Sequence, residues 1–328
     1  MLRGPAKGDN GRRETAAPGP GFEQGRSTMK ISVVGMGHVG SATAFSLVLR
    51  GVPHELVLVG HDRDKTLGDA DDLQHTSALV RPMKVVAGEA ADTAGSDIII
   101  LAASKAPAEF EDRLEQAEPN SQLLREMVPP LASASPEAVF VVLTNPVDVC
   151  TYVTLKASGL PAGRVVGSGT LIDTARLRSL LARETAINAL DIRAYVLGEH
   201  GDSQFPALSV ASVGGLRLDR KDEAMRAIVD QTREGGQRVA NAKGYTNYAV
   251  ALSATLICEA IADDARTILP VSTLIDGFAG VRDVCLSLPC VVGRGGVLRV
   301  MSIDLDEEET GLFRHSASVV RAVLDRIS

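Results

Sequence analysis

Apolar and polar positions follow two different patterns along the chain, and the pattern changes near residue 149. In the first half, short continuous apolar runs are separated by segments with helical spacing. The apolar runs are Lys30–Val34, Glu55–Val59, Met83–Ala87, Asp97–Ala102 and Val139–Thr144, and the clearest helical segments are Val39–Leu49 and Arg113–Ala134. Continuously apolar strands that alternate with helices are typical of a parallel sheet covered on both faces. The pattern therefore predicts a doubly wound α/β domain over residues 29–149.

The second half, residues 150–328, has longer amphipathic helices and strands that are interrupted by glycine. Helical periodicity covers Ile172–Arg183, Arg220–Val239, Tyr248–Thr267 and Glu307–Ile327, and antiparallel strands are expected at Ile192–Gly198, Leu208–Leu218 and Leu288–Ile303. Helices with a separate set of antiparallel strands are typical of an α+β domain. The chain is long enough for two such domains, and we expect the second to bind substrate.

Residues 1–28 differ in composition from the rest of the chain. They contain six glycines, three prolines, five basic and three acidic residues, and one aromatic residue. Such a segment buries too little apolar surface to offset the entropy lost on ordering. It lacks the apolar stretch of a secretory signal, and its acidic residues argue against a transit peptide. We expect a disordered tail outside the fold.

Composition and charge narrow the class of protein. The chain has 34 basic and 41 acidic residues and a formal net charge of −7, which argues against a nucleic-acid partner. Its apolar runs are far shorter than the roughly 20 residues needed to cross a bilayer, so no membrane partner is expected. The four cysteines form no Cys-x-x-Cys pair and lie in apolar surroundings, which is typical of reduced core residues. We predict a cytoplasmic enzyme without a metal site.

A glycine-rich turn follows the first predicted strand. Residues 35–40 read Gly-Met-Gly-His-Val-Gly and lie between a strand and a helix, which is the context of the Rossmann dinucleotide fingerprint. The first glycine permits the tight turn, the second lets a pyrophosphate approach the backbone, and the third lets the helix pack closely on the strand. Gly35, Gly37, His38, Val39 and Gly40 are therefore predicted to bind the cofactor.

The end of the second predicted strand bears on the choice between NADP and NAD. At this position a carboxylate hydrogen-bonds the ribose 2′-hydroxyl of NAD and repels the 2′-phosphate of NADP. Here the strand ends at Gly60, and His61, Asp62 and Arg63 follow. The missing acid at position 60 and the nearby Arg63 favour NADP. The alternative is that Asp62 reaches back to the ribose and that the cofactor is NAD.

Three residues of the second half have the chemistry that a 2-hydroxy acid dehydrogenase needs. His200 lies in Gly-Glu-His-Gly-Asp-Ser, residues 198–203, and Asp173 and Arg176 lie in Asp-Thr-Ala-Arg. An imidazole can give a proton in reduction and take one in oxidation, and a neighbouring carboxylate fixes its tautomer. A guanidinium can hold a substrate carboxylate with two parallel hydrogen bonds. The alternative for Asp173 and Arg176, which are three residues apart, is an ordinary ion pair within a helix.

These motifs make the chain resemble the lactate and malate dehydrogenase family from about residue 30 to the C-terminus. The matching segments, in the family's order, are Val34–Gly40, Thr144–Asp148, Gly167–Thr170, Asp173–Arg176, Gly198–Ser203, Lys243–Thr246 and Leu288–Cys290. The resemblance implies hydride transfer between a nicotinamide cofactor and a small 2-oxo or 2-hydroxy acid. It also implies a close-packed homodimer or homotetramer.

The resemblance assigns a role to each site residue. His200 matches the family's proton donor, Asp173 the carboxylate that orients it, and Arg176 the arginine that grips the substrate carboxylate. Arg113 matches the arginine of the mobile loop that polarises the substrate carbonyl, although it could be an ordinary helix residue. Asn145 matches the residue that contacts both the nicotinamide and the substrate oxygen.

The segment that selects the substrate departs from the family's pattern. Residues 102–113 form a loop one residue longer than usual, and Pro107 occupies the position where malate enzymes have arginine and lactate enzymes have glutamine. Lys105 could reach an anionic tail or be solvated, and Phe110 could narrow the pocket or anchor the loop. Thr246 matches a pocket wall that suits a small, lactate-like side chain. The family's rule leaves open which 2-hydroxy acid is used.

Another pair of residues matches a regulatory site of some relatives. Arg178 and Arg193 lie where allosteric bacterial lactate dehydrogenases bind a sugar phosphate, although the second position there is usually histidine. Two guanidinium groups could hold a phosphate, or they could pair with acids across a subunit interface.

Other functions are weighed against a lactate dehydrogenase-like 2-oxo acid reductase. An NADP-linked malate dehydrogenase is the nearest alternative, because the pattern of Gly60, Asp62 and Arg63 resembles such enzymes. An NAD-dependent glycosidase would need a cysteine and histidine arrangement for a metal, and no cysteine lies in such a motif. A non-catalytic redox sensor would suit the altered loop, but the polar catalytic positions are all retained.

Overall fold

The computed structural model describes residues 28–105, 116–218 and 222–327. In these ranges the helices are α1 His38–Arg50, α2 Arg63–Val80, α3 Ala117–Ala134, α4 Val147–Ser158, α5 Leu171–Thr185, α6 Glu223–Lys243, α7 Tyr248–Ala262 and α8 Glu307–Ile327. The strands are β1 Lys30–Val34, β2 Glu55–Val59, β3 Lys84–Gly88, β4 Ile98–Leu101, β5 Val139–Val142, β6 Val165–Gly167, β7 Ile192–Arg193, β8 Val196–Leu197, β9 Phe205–Pro206, β10 Ser212–Val213, β11 Leu216–Arg217, β12 Thr267–Asp276, β13 Arg282–Gly293 and β14 Gly296–Val300.

The main sheet has the order β14-β13-β12-β6-β5-β4-β1-β2-β3 in the described part of the chain. Strands β1 to β6 are parallel, and their order, 3-2-1-4-5-6, is that of a doubly wound dinucleotide-binding sheet. β12 joins the sheet antiparallel to β6 through Ser272 and Gly167, and β13 and β14 continue it as antiparallel neighbours. The predicted fold, a Rossmann-type sheet followed by an α+β part, is confirmed.

The central strands are apolar along their whole length because helices cover the sheet. All four residues of β4, Ile98 to Leu101, have no exposed surface. α1 packs against α2 and α7, whereas α3 packs against α4 and α8. Burial of two sheet faces removes the usual alternation of apolar and polar residues, and this is why the strands could be predicted as continuous apolar runs.

A smaller apolar core fixes α5, the helix that carries two predicted site residues. Leu177 and Leu181 of α5 are fully buried against Ile192 of β7, Val196 of β8 and Met225 of α6. These contacts tie α5 to the small strands and to α6, so the first turn of α5 has a fixed place beside the main sheet.

Several segments of the second half differ from the sequence prediction. The strand predicted at Leu208–Leu218 is a 3₁₀ turn, Leu208–Val210, followed by the short strands β10 and β11. The helix predicted for Tyr248–Thr267 ends at Ala262, because Asp264 and Arg266 have φ values of +46° and +51°, which a right-handed helix excludes. Thr267 instead begins β12. The strand predicted at Leu288–Ile303 is two strands, since β13 begins at Arg282 and a turn leads into β14.

Other features bear on the predicted organisation. The division into domains at residue 149 stays a prediction; residue 149 lies within α4, and the parallel sheet continues to β6. The predicted tail, apart from residue 28, lies outside the described residues. Over the described ranges, no helix combines the length and the apolar character that a membrane span requires.

Candidate active site

The loops that follow the parallel strands meet at one edge of the sheet, where ligands of such sheets bind. The backbone N–H of Ala102, after β4, donates to the carbonyl of Val34 at the end of β1, at 2.8 Å. The N–H of Ser168, after β6, donates to the carbonyl of Val142 at the end of β5, at 2.9 Å. The glycine-rich turn, Asn145 and the start of α5 are thereby brought to the same edge.

The glycine-rich turn has the geometry that its spacing predicts. Gly35 has a φ of +105°, and a Cβ there would lie 2.3 Å from the backbone nitrogen of Ala103. A Cβ on Gly40 would lie 1.8 Å from the carbonyl oxygen of Gly35, so only glycine lets α1 start this close to β1. Gly37 has open space around it at the N-terminus of α1, where a helix favours an anion.

His38 and Val39 follow Gly37 on α1. Val39 packs against the main core. The His38 ring is stacked on Tyr245, with ring centroids 3.8 Å apart and an angle of 4° between the planes. Because Tyr245 follows α6, this stack joins the glycine-rich turn to the side of the cleft that holds Thr246.

The packing of the residues after β2 offers an explanation for glycine at position 60 that does not involve the cofactor. A Cβ at position 60 would lie 2.2 Å from the Thr66 hydroxyl, so any larger residue there would require this side chain to move. The Asp62 carboxylate caps α2 by accepting the backbone N–H of Lys65 at 3.0 Å. Arg63 lies 3.6 Å from Glu89. The pattern that favoured NADP therefore has a structural explanation.

The three predicted catalytic residues form one connected chain. His200 Nδ1 and Asp173 Oδ2 are 2.6 Å apart, and Arg176 Nη1 donates to Asp173 Oδ1 at 2.6 Å. The Asp173 side chain is only 2% exposed, whereas those of His200 and Arg176 are 15% and 18% exposed. One buried carboxylate therefore holds both the imidazole and the guanidinium, with each of them still reachable from the cleft.

The charge state of Asp173 follows from these neighbours. Burial by itself would raise the pKa of this carboxyl, but attraction and hydrogen bonding to His200 and Arg176 together outweigh burial and lower its pKa below the ordinary value. Asp173 is therefore a carboxylate at neutral pH. This negative charge lies beside Nδ1 of His200, and the hydrogen bond between the two groups orients the imidazole ring.

α6 holds Arg176 through contacts that were not predicted from the sequence. Nη1 of Arg176 also donates to the carbonyl of Thr232 at 3.0 Å. A Cβ on Gly235 would lie 2.3 Å from Cδ of Arg176, so a glycine inside the helix allows α6 to approach this closely. Since both Nη1 hydrogens are used, Nε and Nη2 form the edge that is left for a carboxylate.

Four of the predicted residues line one small cavity of about 40 Å³. They are Asn145, Arg176, His200 and Thr246, and Ser168 and Gly236 complete part of the wall. A larger cleft of about 590 Å³ lies between α6 and α8, and none of these residues is among its described lining. The chemistry of the lining, rather than the volume, identifies the functional site.

Asn145 is held by a second asparagine that the sequence reading did not single out. Asn120 of α3 is fully buried, and its amide nitrogen donates to the carbonyl of Asn145 at 2.8 Å. Its oxygen accepts the backbone N–H of Lys105 at 2.8 Å. The Lys105 ammonium group lies 4.0 Å from Glu126 rather than in the cavity. Arg113, Pro107 and Phe110 lie outside the described residues.

The two arginines of the predicted anion site are placed differently from each other. Arg178 donates from Nε to the carbonyl of Ala194 at 3.1 Å and lies over the Tyr195 ring. Burial and, to a lesser extent, the nearby charge of Arg193 lower the pKa of Arg178. Arg193 is exposed on β7. A phosphate site here stays a prediction.

Asp148 is the other acid that the structure brings to His200. Its carboxylate accepts the backbone N–H of His200 at 2.7 Å and the hydroxyl of Ser272 at 2.5 Å. The signal in the sequence was its place in the matching segment Thr144–Asp148, but nothing local pointed to its partners.

The cysteines and the remaining acids offer no competing chemistry in the described residues. All four cysteines are buried and unpaired, and burial raises the pKa of the Cys290 thiol to about 12. In the same ranges, no cluster of three histidines, cysteines or acids has the arrangement of a metal site.

A dinucleotide-type sheet with a histidine, an aspartate and an arginine at its carboxyl edge defines the class of nicotinamide-dependent dehydrogenases. Comparison with known sequences then gives the family. The NAD binding domain of lactate/malate dehydrogenase matches residues 29–167, and the alpha/beta C-terminal domain of the same family matches residues 170–328. The chain belongs to the lactate/malate dehydrogenase family, and it is a lactate dehydrogenase-like oxidoreductase.

Individual relatives support this assignment over almost the whole chain. L-lactate dehydrogenase of Clostridium botulinum (strain Hall) is 38% identical over 312 residues, which are 92% of this chain and 98% of the relative. L-lactate dehydrogenase of Thermoanaerobacter sp. (strain X514) is 39% identical over 307 residues, 91% of this chain and 99% of the relative. The crystal structure of the minor L-lactate dehydrogenase from Enterococcus mundtii has a TM-score of 0.89 at 31% identity, and covers 92% of this chain and 99% of that one.

Proposed function

We propose that this oxidoreductase interconverts a small 2-oxo monocarboxylic acid and the corresponding L-2-hydroxy acid, as lactate dehydrogenase does. The observation that supports this most is the connected chain of His200, Asp173 and Arg176 beside the cavity that Asn145 and Thr246 also line. It offers a proton donor and a carboxylate clamp within one site.

Each residue has a defined task in reduction. The free edge of Arg176, Nε and Nη2, holds the substrate carboxylate through two parallel hydrogen bonds. His200 gives a proton from Nε2 to the carbonyl oxygen, while Asp173 keeps the ring oriented and balances its charge. Asn145 contacts the same oxygen, and Arg113 polarises the carbonyl, as the resemblance implies. The bound nicotinamide cofactor supplies the hydride.

The test is turnover of a panel of 2-oxo acids by the wild type and by His200→Asn. We expect pyruvate-like monoacids to be reduced, and the variant to lose roughly 10³-fold in kcat because proton donation is removed. His315→Asn, which changes an exposed histidine of α8, is the matched control and should keep full activity. If His200→Asn kept the wild-type rate, this histidine would have no part in the mechanism.

A monocarboxylic substrate is preferred to malate or oxaloacetate for an electrostatic reason. Among the described residues that line the cavity, Arg176 is the one side chain with a permanent positive charge, and it is used for the first carboxylate. Lys105 faces Glu126 instead. Among these described residues no cation is left for a second carboxylate, and desolvating a carboxylate without a partner is costly. A kcat/KM for oxaloacetate above that of every monoacid would reverse this preference in favour of a malate-type enzyme.

We propose NAD rather than NADP as the cofactor. Arg63 faces Glu89 at 3.6 Å, and Lys65 faces Asp69 at 2.7 Å, so a 2′-phosphate would have to compete with carboxylates for both cations. Asp62 adds a further negative charge beside them. The domain that the first half matches is described as NAD binding. A KM for NADPH equal to or below that for NADH would contradict this choice.

An apolar surface supports a homo-oligomer. Tyr248, Leu252 and Leu256 form an exposed stripe on α7, and Phe45 and Leu49 are exposed on α1, which packs against α7. Contiguous exposed apolar surface is typical of protein interfaces. We propose a dimer through this face. Leu252→Asp should lower the mass in analytical ultracentrifugation to that of the monomer, and an unchanged mass would remove this face from the assembly.

A cytoplasmic location is part of the same proposal. The four cysteines are buried thiols, a pattern typical of proteins from reducing compartments. Fractionation of cells with an antibody against the enzyme tests it, and enrichment outside the cytoplasm would contradict it.

A further inference from the structure

His200 is held by two acids, and each of them holds a different part of the residue. In the described part of the chain, its ring bonds Asp173 through Nδ1, and its backbone N–H donates to Asp148 Oδ2 at 2.7 Å. The bond to Asp173 fixes how the ring is turned. The bond to Asp148 fixes where the backbone of the residue lies.

The rest of the segment Gly198–Ser203 is anchored elsewhere. Gly198 exchanges two backbone hydrogen bonds with Ser287 of β13, at 3.1 and 2.9 Å. Ser203 donates to the Glu199 carboxylate, and its carbonyl accepts the Ser316 hydroxyl of α8 at 2.7 Å. The two ends of the segment are therefore held by contacts of their own. The backbone of His200, in the middle, is held by its hydrogen bond to Asp148.

Asp148 connects three parts of the fold. It lies in the first turn of α4, three residues after Asn145, and is only 2% exposed. Its Oδ1 accepts the Ser272 hydroxyl of β12 at 2.5 Å. The loop that carries Asn145, the segment that carries His200 and the first strand of the antiparallel part are thus joined at one buried carboxyl group.

The surroundings of Asp148 favour the protonated form of its carboxyl group. Burial raises the pKa of this carboxyl to about 7, although the hydrogen bonds from Ser272 and from the His200 backbone oppose the change. Glu199 raises this pKa further and the His200 side chain lowers it. The other titratable groups close to Asp148 are the buried thiols of Cys150, on α4, and Cys285, on β13.

We propose that Asp148 is a positioning residue for catalysis, which fixes the backbone of His200 by accepting its N–H. This inference rests on the proposed role of His200. The ionised carboxylate accepts both donors, and charge-assisted bonds are the stronger ones. When a proton binds to Oδ1, the Ser272 hydroxyl must turn and accept it, and Oδ2 holds the His200 N–H as a neutral acceptor. The anchor is weaker in this form.

Two variants test separately the hydrogen bond from Asp148 to the His200 backbone and the ionisation of Asp148. Asp148→Ala removes the acceptor, and we expect kcat for pyruvate to fall by roughly 10²-fold, the cost of a small misplacement of a catalytic group. The dissociation constant of NADH, measured by fluorescence, should stay as in the wild type. Asp148→Asn keeps an oxygen for the His200 N–H and an amide donor for Ser272. The amide is a neutral acceptor, like the protonated carboxyl, so this variant should show the severalfold lower kcat/KM of the low-pH wild type at every pH. The acid limb that Asp148 contributes to the pH profile of kcat/KM should be absent.

Glu309→Gln is a matched control. Glu309 is also buried, at 6% exposure, and accepts a backbone N–H and a hydroxyl from one serine, Ser209, without contact to His200. This variant should leave both kcat and the pH profile unchanged.

The outcomes distinguish this inference from the proposed function. If Asp148→Ala keeps the wild-type kcat, or if Asp148→Asn keeps the acid limb, Asp148 has no positioning role, while the function of the enzyme stands. If the wild type reduces no 2-oxo acid at all, the proposed function fails first, and the inference fails with it. If Asp148→Ala does not fold, the Asp148→Asn profile alone decides.

Discussion

The two sides of His200 present the same kind of group, a buried carboxyl, with pKa shifts in opposite directions. Both acids are almost completely buried, Asp173 on the ring side and Asp148 on the backbone side. The pKa of Asp173 is nevertheless lowered and that of Asp148 is raised to about 7. Burial penalises the charged form in both cases. The difference comes from the hydrogen-bond partners and the nearby charges, which include Glu199 beside Asp148.

The partners differ in charge. Asp173 binds a guanidinium and an imidazole, whereas Asp148 binds a backbone N–H and a hydroxyl. Neutral donors offset only part of the cost of desolvating a carboxylate, and cationic side chains offset all of it here. One acid therefore supplies a permanent negative charge for the imidazole ring, and the other supplies a contact that responds to pH.

Among the substitutions that test this difference between the two acids, Asp173→Asn should have the largest effect. The change keeps the shape of the side chain but removes the charge that faces both His200 and Arg176. We expect kcat to fall on the order of 10³-fold or more, because the amide no longer balances a protonated imidazole. Steady-state kinetics with pyruvate and NADH measures this, and near-normal affinity for NADH is the control. A loss of less than about tenfold would show that Asp173 matters for packing more than for charge.

The two acids should change the free energy of unfolding in opposite directions as the pH rises. Because the pKa of Asp173 is lowered, its contribution to the free energy of unfolding is present above about 3.8 and is lost as the pH falls below that value. The raised pKa of Asp148 means that the folded protein keeps a proton that the unfolded chain has released between about 3.8 and about 7. Its contribution therefore falls as the pH rises through that interval, by up to about 4 kcal/mol.

Urea unfolding at several pH values between 4 and 8 measures this effect. Relative to the wild type, Asp148→Asn should become more stable as the pH rises across the interval, since the amide has no proton to lose. A difference between the two proteins that does not depend on pH would mean that Asp148 titrates as in the unfolded chain.

The same comparison explains what could be predicted from the sequence. The central strands and the glycine-rich turn are local patterns, and Asp173 and Arg176 lie one turn apart on one helix, so the parallel sheet and this pair could be predicted. The partners of Asp148, the His200 backbone and Ser272, are 52 and 124 residues away from it in the sequence. No local pattern reports a pairing of this kind.

Apolar and charge patterns are also incomplete where packing or backbone angles nearby in the chain decide the structure. At position 60 glycine also avoids close contact with the Thr66 hydroxyl, so the missing acid there is not a specific sign of a 2′-phosphate. The apolar positions of α7 continue into β12, and the end of the helix depends on backbone angles at Asp264 and Arg266 that the apolar pattern does not contain.

A smaller change to the ring side is Arg176→Lys. Lysine keeps the positive charge near Asp173 but cannot serve Asp173, the Thr232 carbonyl and a bidentate substrate carboxylate together. We expect the KM for pyruvate to rise about 30-fold, which corresponds to about 2 kcal/mol for one charge-assisted hydrogen bond. Arg183→Lys changes an exposed arginine of the same helix and is the control. Equal KM values for both variants would contradict the proposed clamp.

The smallest effect is expected from Ser272→Ala, which changes a hydrogen-bond partner of Asp148. This change leaves Asp148 in place and removes the hydroxyl that donates to Oδ1. Because that hydrogen bond favours the carboxylate, its loss should move the pKa of Asp148 further upward, and the acid limb of kcat/KM should move to higher pH. The loss of one hydrogen bond is worth about 1 kcal/mol, so the rate at pH 7 should fall only severalfold. Ser209→Ala, which removes the equivalent hydroxyl from Glu309, should leave the profile in place. If Ser272→Ala gave the wild-type profile, burial together with the His200 N–H would set the proton affinity of Asp148, and the contrast between the two acids would rest on the cations around Asp173 alone.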